Sequence, residues 1–576
     1  MNPAYEHNGA ACTRAAFYAV ACDPRRSVAV EACAGAGKTW MLVSRILRAL
    51  LDGAEPQQIL AITFTKKAAG EMRQRLQQWL ADFAQARPAD PASGRAAETP
   101  AAWQQRLLDE LVARGIEPGA ARDLRQPLQD LYQRLLDHGR PVQIRTFHSW
   151  FAALLRSAPL QVLQDLGLPS AYELLEDDQE AVAEVWRRYL RRVAQDGGLS
   201  ADYAGLVCEL GRHRAHLALE GALAKRVEFG LADAAGDLDE AVASFGAVYP
   251  RLAGVAEPAD TLMTEDARGR WQARASVLGA EKNKTPRTAA AAVIDAFAQA
   301  DSATRLALLR QAFFVKQEDR LTRHLQGFDV AVDAEAELQQ LLAAQRQHDA
   351  RRYHQRLVRL TRPLIDEFAA LKRERGWVDM TDIERAALVL LSEPVLSGWV
   401  QERLDARVRH LLIDEFQDTN PLQWQALKAW LESYAGAGGG QGAPSVFIVG
   451  DPKQSIYRFR RADPRVFAAA QDFIVQALGG ERLACDHTHR NAPVVLGVVN
   501  AVMAAAQADG QFNGFRAHST ESKAPGQVAV LPLVPRPERA PAAPDGDAWR
   551  DSLSTPRVLL EDSLRTLECR RAARWI

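Results

Sequence analysis

The chain is 576 residues long, which at about 150 residues per domain is room for roughly four domain-sized units and excludes a single small binding module. Charged residues make up 25% and hydrophobic residues 47%, with 71 Lys+Arg against 72 Asp+Glu for a formal charge of −1, a balance that excludes wholesale disorder. With no net basic field, any nucleic-acid contact has to come from local patches.

Six cysteines (Cys12, Cys22, Cys33, Cys208, Cys485 and Cys569) are scattered without a Cys-x-x-Cys pair, so neither a disulfide framework nor a Cys-rich zinc site is expected. Residues Met1 to Ala10 are polar and lack the order of a signal peptide. No apolar run reaches the ~18 residues that span a bilayer. The expectation is a soluble cytoplasmic protein with no membrane partner.

In chain order, short β-type runs each lead through a turn into a helical pattern, the sequence form of βα units on a parallel sheet. Ser27 to Glu31 precedes the amphipathic run Thr39 to Leu51, Ile59 to Phe64 precedes Ala68 to Leu80, and Val142 to Thr146 precedes Ser149 to Leu155. Ala86 to Ala102, rich in Pro and Ala, reads as a flexible excursion. His148 and Asp414 are 266 positions apart, and the stretch between them is dominated by helical periodicity, as in Asp177 to Ala194 and Leu364 to Arg375. Two strands apolar enough to be covered on both faces follow, Leu411 to Ile413 and Val446 to Val449. The Gly-rich Ala435 to Ala443 reads as a surface loop and Pro535 to Pro544 as a Pro/Ala linker.

The chemistry-bearing residues sit at the strand ends. Ala32-Cys33-Ala34-Gly35-Ala36-Gly37-Lys38-Thr39 follows a strand and opens a helix. Small residues let backbone N–H groups turn onto a phosphate, a lysine reaches the β and γ phosphates, and a threonine can hold Mg²⁺. The strict phosphate-loop pattern has Gly where this chain has Ala32. An ordinary strand–turn–helix corner with a fortuitous Gly-Lys-Thr is the alternative, and the strand context argues against it. Asp414, at the end of an apolar strand, stands where a Mg²⁺-bound nucleotide needs a carboxylate, and Glu415 can orient the attacking water.

Three further motifs accompany these: Thr63-Phe-Thr-Lys-Lys-Ala-Ala-Gly-Glu-Met-Arg73, Thr146-Phe-His-Ser-Trp150, and Val449-Gly-Asp-Pro-Lys-Gln-Ser-Ile-Tyr-Arg-Phe-Arg-Arg-Ala-Asp463, with Asp414-Glu-Phe-Gln-Asp-Thr419 as the acidic one. Taken in chain order they resemble the UvrD/Rep family of superfamily 1 DNA helicases, over residues 1 to about 505. Trp40 after Gly-Lys-Thr, the run Leu42 to Ile46 and the long insertion look most like the helicase subunits of RecB/AddA (exonuclease V) helicase-nucleases. The resemblance implies an α/β fold: a RecA-like P-loop NTPase parallel sheet with a large helical insertion and the start of a second RecA-like domain. The implied boundaries are 1–160 and 401–480 for the two parts of the ATP-binding domain, 161–400 for the insertion, and 481–576 for an incomplete second domain.

The same resemblance implies ATP with Mg²⁺, 3′-to-5′ movement on single-stranded DNA, action at junctions of single and double strands, and a RecC/AddB-like partner subunit. Lys38, Glu415, Gln454 and Arg490 would be catalytic, with Gln454 sensing the γ-phosphate and Arg490 stabilising it. Residues 32 to 39 and Asp414 would hold the nucleotide, Thr39 and Asp414 the metal. Thr63, Phe64, Thr146, His148, Tyr457, Phe459 and Arg460 would meet DNA, the aromatics by base stacking that tolerates any sequence. Core packing is the alternative for Tyr457 and Phe459, which alternate like strand residues.

Two groups read more plainly. Cys485, His487 and His489 have metal-ligand chemistry but no second ligand pair nearby in sequence, and Trp377 to Asp382 matches a family segment expected to be structural. The family's adenine-reading glutamine upstream of the phosphate loop is missing: the first glutamine is Gln57. Either another residue near Tyr5 to Arg14 reads the base, or base selectivity is relaxed. No match to the family's later motifs or to a nuclease signature follows Asn500, so a truncated chain is expected.

Overall fold

A computed structural model of the protein describes residues 4–89, 96–175, 177–393, 396, 408–436, 444–511, 514–536 and 560–575. The loop expected over 435–443 and the linker over 535–544 fall mostly outside them. So does the expected boundary at 400. The chain forms two compact units, Met1–Pro159 with Ile383–Ile576, and Leu160–Asp382.

The first unit is built on an eight-stranded sheet. In chain order its strands are β1 (Tyr5–His7), β2 (Ala10–Ala11), β3 (Val28–Ala32), β4 (Ile59–Thr63), β5 (Gln143–Thr146), then β8 (His410–Ile413), β9 (Ser445–Gly450) and β10 (Glu481–Cys485), with β6 (Glu173–Leu175) and β7 (Trp377–Asp379) in the second unit. The spatial order is β2-β1-β10-β3-β9-β8-β4-β5. The six strands from β10 to β5 run parallel, and only β1 and β2 pair antiparallel, at one edge. The sequence reading did not anticipate that edge, because two or three residues carry no periodicity. Val28 and Val30 of β3, Ile59 to Ile62 of β4 and Phe447 to Val449 of β9 are almost wholly buried, as in a sheet covered on both faces.

Helix Lys38–Leu51 buries Met41, Leu42, Ile46, Leu47 and Leu50. It also buries Arg45, whose guanidinium donates to Ala21 O at 3.1 Å and lies 4.9 Å from the Phe447 ring centroid. Strand β10 begins at the boundary expected between 480 and 481, so the first sheet runs past it. Glu481 to Cys485 pairs residue for residue with Val28 to Ala32, because alternating Leu483 and Cys485 bury against the first core. From Asp486 the chain leaves the sheet and makes a small βαβ element: β11 (His487–Thr488), helix Pro493–Ala508 and β12 (Ser519–Thr520), the two strands parallel.

Among the described residues the second unit is helical apart from the parallel pair β6 and β7 and a single bridge between Phe314 and Leu321. Its backbone is the 47-residue helix Asp329–Arg375, ended by Gly376 at φ +67°, a left-handed C-cap that glycine adopts without a Cβ penalty. Leu360, Leu364, Phe368 and Leu371 recur at helical spacing and pack with Val185, Trp186 and Tyr189 of helix Gln179–Gln195. A second core gathers Trp271, Phe297 and Phe313 against Ala331 to Ala344. Asp379 and Asp382, in the acidic segment, both accept from Lys372 Nζ at 2.5 Å, and Asp379 also from Arg226 at 2.8 Å. No helix among the described residues is long and apolar enough to cross a membrane.

Trp271 is wholly buried, donates Nε1–H to Glu337 at 3.1 Å and meets Phe313 edge-on at 5.6 Å. Trp271→Ala should therefore lower stability by about 3–5 kcal/mol, read as a shifted urea midpoint in circular dichroism.

Candidate nucleotide and DNA site

Strand β3 ends at Ala32, and Cys33 to Gly37 turn into helix Lys38–Leu51. Gly35 and Gly37 take φ of +77° and +87°, open to glycine at little steric cost. Gly37 caps the helix with no side-chain hydrogen bond, which leaves first-turn N–H groups free to meet an anion. Ala32, Cys33 and Ala36 are buried, while Ala34, Gly35, Gly37 and Thr39 are half-buried. The segment after β11 lies on this loop: His489 N donates to Gly35 O at 3.0 Å, and a Cβ on Gly35 would stand 2.7 Å from Arg490 Cβ. Arg490, exposed, is thereby brought beside the phosphate loop across more than 450 residues of sequence.

Facing the loop is the acidic motif. Asp414 follows β8, is 6% exposed, and its Oδ1 accepts from Glu415 N at 3.0 Å. Burial, and then the Glu415 charge, push its carboxyl up to about 7 against the opposing pull of Lys38. Asp418 is pushed to about 6 by the same causes. Lys38 Nζ lies 3.2 Å from Glu415 Oε2, and Glu415 itself holds φ +48°. Asp418 Oδ1 and Thr63 Oγ1 are buried without a hydrogen-bond partner. Three carboxyls around one ammonium, two of them held toward the neutral form, make a pocket short of positive charge. Thr39, Asp414 and Asp418 offer the hard oxygen donors that Mg²⁺ takes, and these residues fit the ion.

Sequence reasoning gave Gln417 no role. Its Nε2 donates to Glu415 Oε2 at 2.9 Å, its Oε1 accepts from Asp451 N at 2.9 Å, and its backbone O accepts from Ser455 Oγ at 3.1 Å. It thus ties the acidic motif to the turn after β9, where Gln454 Nε2 donates to Asp451 Oδ2 at 2.6 Å. Motif membership pointed to Gln417, but its two-sided bonding depends on β8 and β9 being neighbours. A cavity of about 640 Å³ beside the phosphate loop is lined by Arg14, Tyr18, Gly35, Gly37, Trp40 and His489, among others. Arg14 thus lies next to the loop, within the Tyr5 to Arg14 region considered for base reading.

The residues expected to meet DNA divide into two sets. Phe64 and Tyr457 lie 4.7 Å apart at 33°, Tyr457 and Phe459 5.7 Å apart, and Arg460 stands 5.5–5.8 Å from all three rings. Phe459 is 76% exposed. It lies on a short 3₁₀ turn, Arg458–Arg460, so the alternation that suggested strand packing does not place it in a core. Thr63 and Thr146 are buried. Thr146 Oγ1 accepts from Ser149 N at 3.2 Å as the cap of helix Phe147–Ser157, and His148 is partly exposed.

The side chains of metal-ligand type, read in sequence as no metal site, group differently in the structure. Glu521, rather than Cys485, joins His487 and His489, with ligand atoms within 4.8 Å of one another. Arg14 lies 3.6 Å from the same Glu521 carboxylate and supplies positive charge there.

Residues 13–245 and 271–474 match the UvrD/REP helicase N-terminal domain. The chain is similar to an ATP-dependent helicase/nuclease subunit of Desulforudis audaxviator, at 28% identity over 83% of this chain and 38% of that protein. The corresponding subunit of Lactobacillus gasseri is 24% identical over the same shares of each chain. Over a shorter span, 23% of this chain and 11% of the relative, that of Bacillus mycoides is 34% identical. In the two longer matches this chain spans 38% of the relative's length.

The Asp414 carboxyl, raised from 3.8 to about 7, binds its proton more tightly folded than unfolded. Its cost to stability is absent below about pH 4 and grows until pH passes about 7. Asp414→Asn should thus stabilise the nucleotide-free protein at pH 8 by about 2 kcal/mol and by almost nothing at pH 4. Thermal melts at the two pH values check this, and an equal effect at both overturns it.

Proposed function

Since the chain belongs to the UvrD/REP helicase family, we propose that it hydrolyses ATP to move 3′-to-5′ along single-stranded DNA in repair or recombination. The observation that carries this is the 3.2 Å contact of Lys38 with Glu415, which joins a phosphate loop to an acidic strand end across the whole insertion. Lys38 and the free N–H groups of its helix bind the phosphates. Glu415 orients the attacking water, with its carboxylate fixed by Gln417. Arg490, lodged over Gly35, meets charge developing on the γ-phosphate. Mg²⁺, held by Thr39 and Asp414, would neutralise phosphate charge during transfer. Gln454 and Gln417 join the nucleotide side to the Asp451–Arg460 turn, on which Tyr457 and Phe459 present ring faces to bases.

A second reading keeps the binding residues but gives the chain no independent turnover, as part of a longer helicase-nuclease subunit working with a RecC/AddB-like partner. The observation in its favour is that the relatives match over only 38% of their length. Single-turnover ATPase with and without single-stranded DNA separates the two: DNA binding without phosphate release favours the second.

Lys38→Ala and Glu415→Gln are each expected to abolish DNA-stimulated phosphate release, and full activity in either overturns the assignment. Phe459→Ala, which removes the most exposed ring, should weaken binding to oligo(dT) by about tenfold, within the ~1–3 kcal/mol of one stacked base, as read by fluorescence anisotropy.

A further inference from the structure

Glu384 lies on helix Met380–Ser392, two residues past the acidic segment, and is 1% exposed. A carboxylate buried so deeply persists only when its oxygens are paired. Its Oε1 accepts from Asn420 Nδ2 and Gln423 Nε2, each at 2.8 Å, and lies 3.2 Å from His148 Nε2. Its Oε2 accepts from the Arg461 guanidinium. Burial works to raise this carboxyl, but His148, Arg461 and Asn420 hold it below its ordinary value. Glu384 is therefore a charged anchor at neutral pH.

The partners come from three of the segments already described. His148 begins the helix after β5. Asn420 directly follows the acidic motif, and its Oδ1 accepts from Gln423 N at 2.9 Å at the head of helix Pro421–Gly436. Arg461 ends the turn that displays Phe459 and Arg460, in a left-handed conformation at φ +66°. A non-glycine residue stays in that region when its surroundings hold it there. The bond to Glu384 is one such restraint, and it fixes where the turn finishes.

We propose that Glu384 is a positioning residue for DNA binding, which holds His148 and the Phe459–Arg461 turn in fixed register with the acidic motif. This rests on the function proposed above, since His148 and the turn are its DNA-facing groups. Both oxygens of Glu384 accept, from Asn420, Gln423 and Arg461, and His148 Nε2 stands beside Oε1. Glu384→Gln keeps the volume but replaces one acceptor with an NH₂ group that meets another donor, releasing His148 or Arg461 without opening a cavity.

The test measures anisotropy of labelled oligo(dT), affinity for a fluorescent ADP analogue and thermal melting on the same protein. Glu384→Gln should weaken oligo(dT) binding by about tenfold, as expected for a lost charge-assisted bond, with analogue affinity within about twofold of wild type. In a His148→Ala background the Glu384→Gln loss should fall to about threefold or less, because coupled groups are not additive. Equal loss in both backgrounds, unchanged DNA affinity, or parallel loss of DNA affinity, analogue affinity and melting temperature each overturns the positioning role. If Glu384→Gln does not fold, Glu384→Asp, which keeps the charge but shortens the reach, should lose about threefold in DNA affinity, and no loss overturns the proposal. Absence of oligo(dT) binding by the wild type overturns the function itself and this inference with it. Binding by the wild type with no effect of either variant overturns this inference alone.

Discussion

Parallel pairing delivers the carboxyl ends of six strands to one edge of the sheet, and the candidate site segments of the first unit leave from that edge. The phosphate loop follows β3, Phe64 follows β4, His148 follows β5, Asp414 follows β8, the Gln454 turn follows β9 and Arg490 lies just beyond β10. An antiparallel arrangement of the same strands would send alternate segments to opposite edges. The local chemistry of each motif is set by a few residues, but their meeting depends on this shared direction. Burial of both sheet faces fixes the register, since a slip of one residue would reverse which side chains enter each core.

The second consequence of that edge is electrostatic. Asp414, Glu415 and Asp418 gather near Lys38, and the two buried carboxyls, Asp414 and Asp418, respond by holding their protons more tightly. A site in this condition gains from added positive charge, so affinity for a hard cation and proton release are linked. Gln417 and Glu384 handle the polar groups differently. Each is buried with its oxygens occupied: Gln417 joins the acidic motif to Asp451, and Glu384 joins Asn420, just after that motif, to Arg461.

The strand–turn–helix pattern, both acidic and glycine motifs and the family resemblance were legible because they are local. β3, β4, β5, β8 and β9 lie within one residue of where apolar runs placed them. The helix beginning at Lys38 was expected to begin one residue later, the uncertainty usual at helix ends. The short edge strands β1 and β2 were not legible, nor was the membership of Glu481 to Cys485 in the first sheet, because runs of two to five residues do not say which distant strand they pair with. Thr63 and Thr146 were assigned by motif alone, and their burial is a matter of how strand ends and a helix cap pack.

What the sequence determined by itself was the kind of chemistry: a lysine and small residues shaped for phosphate, carboxylates at an apolar strand's end, aromatics beside arginines. These follow from residue type and spacing over fewer than twenty positions. The tertiary structure decided which of them meet. It set Arg490 over Gly35, joined Gln417 to Asp451 at the next strand's end, placed Glu521 beside the two histidines in place of Cys485, and surrounded Glu384 with donors from three segments. These contacts join residues tens to hundreds of positions apart, and only strand order and the burial that fixes it bring such positions within a few ångströms.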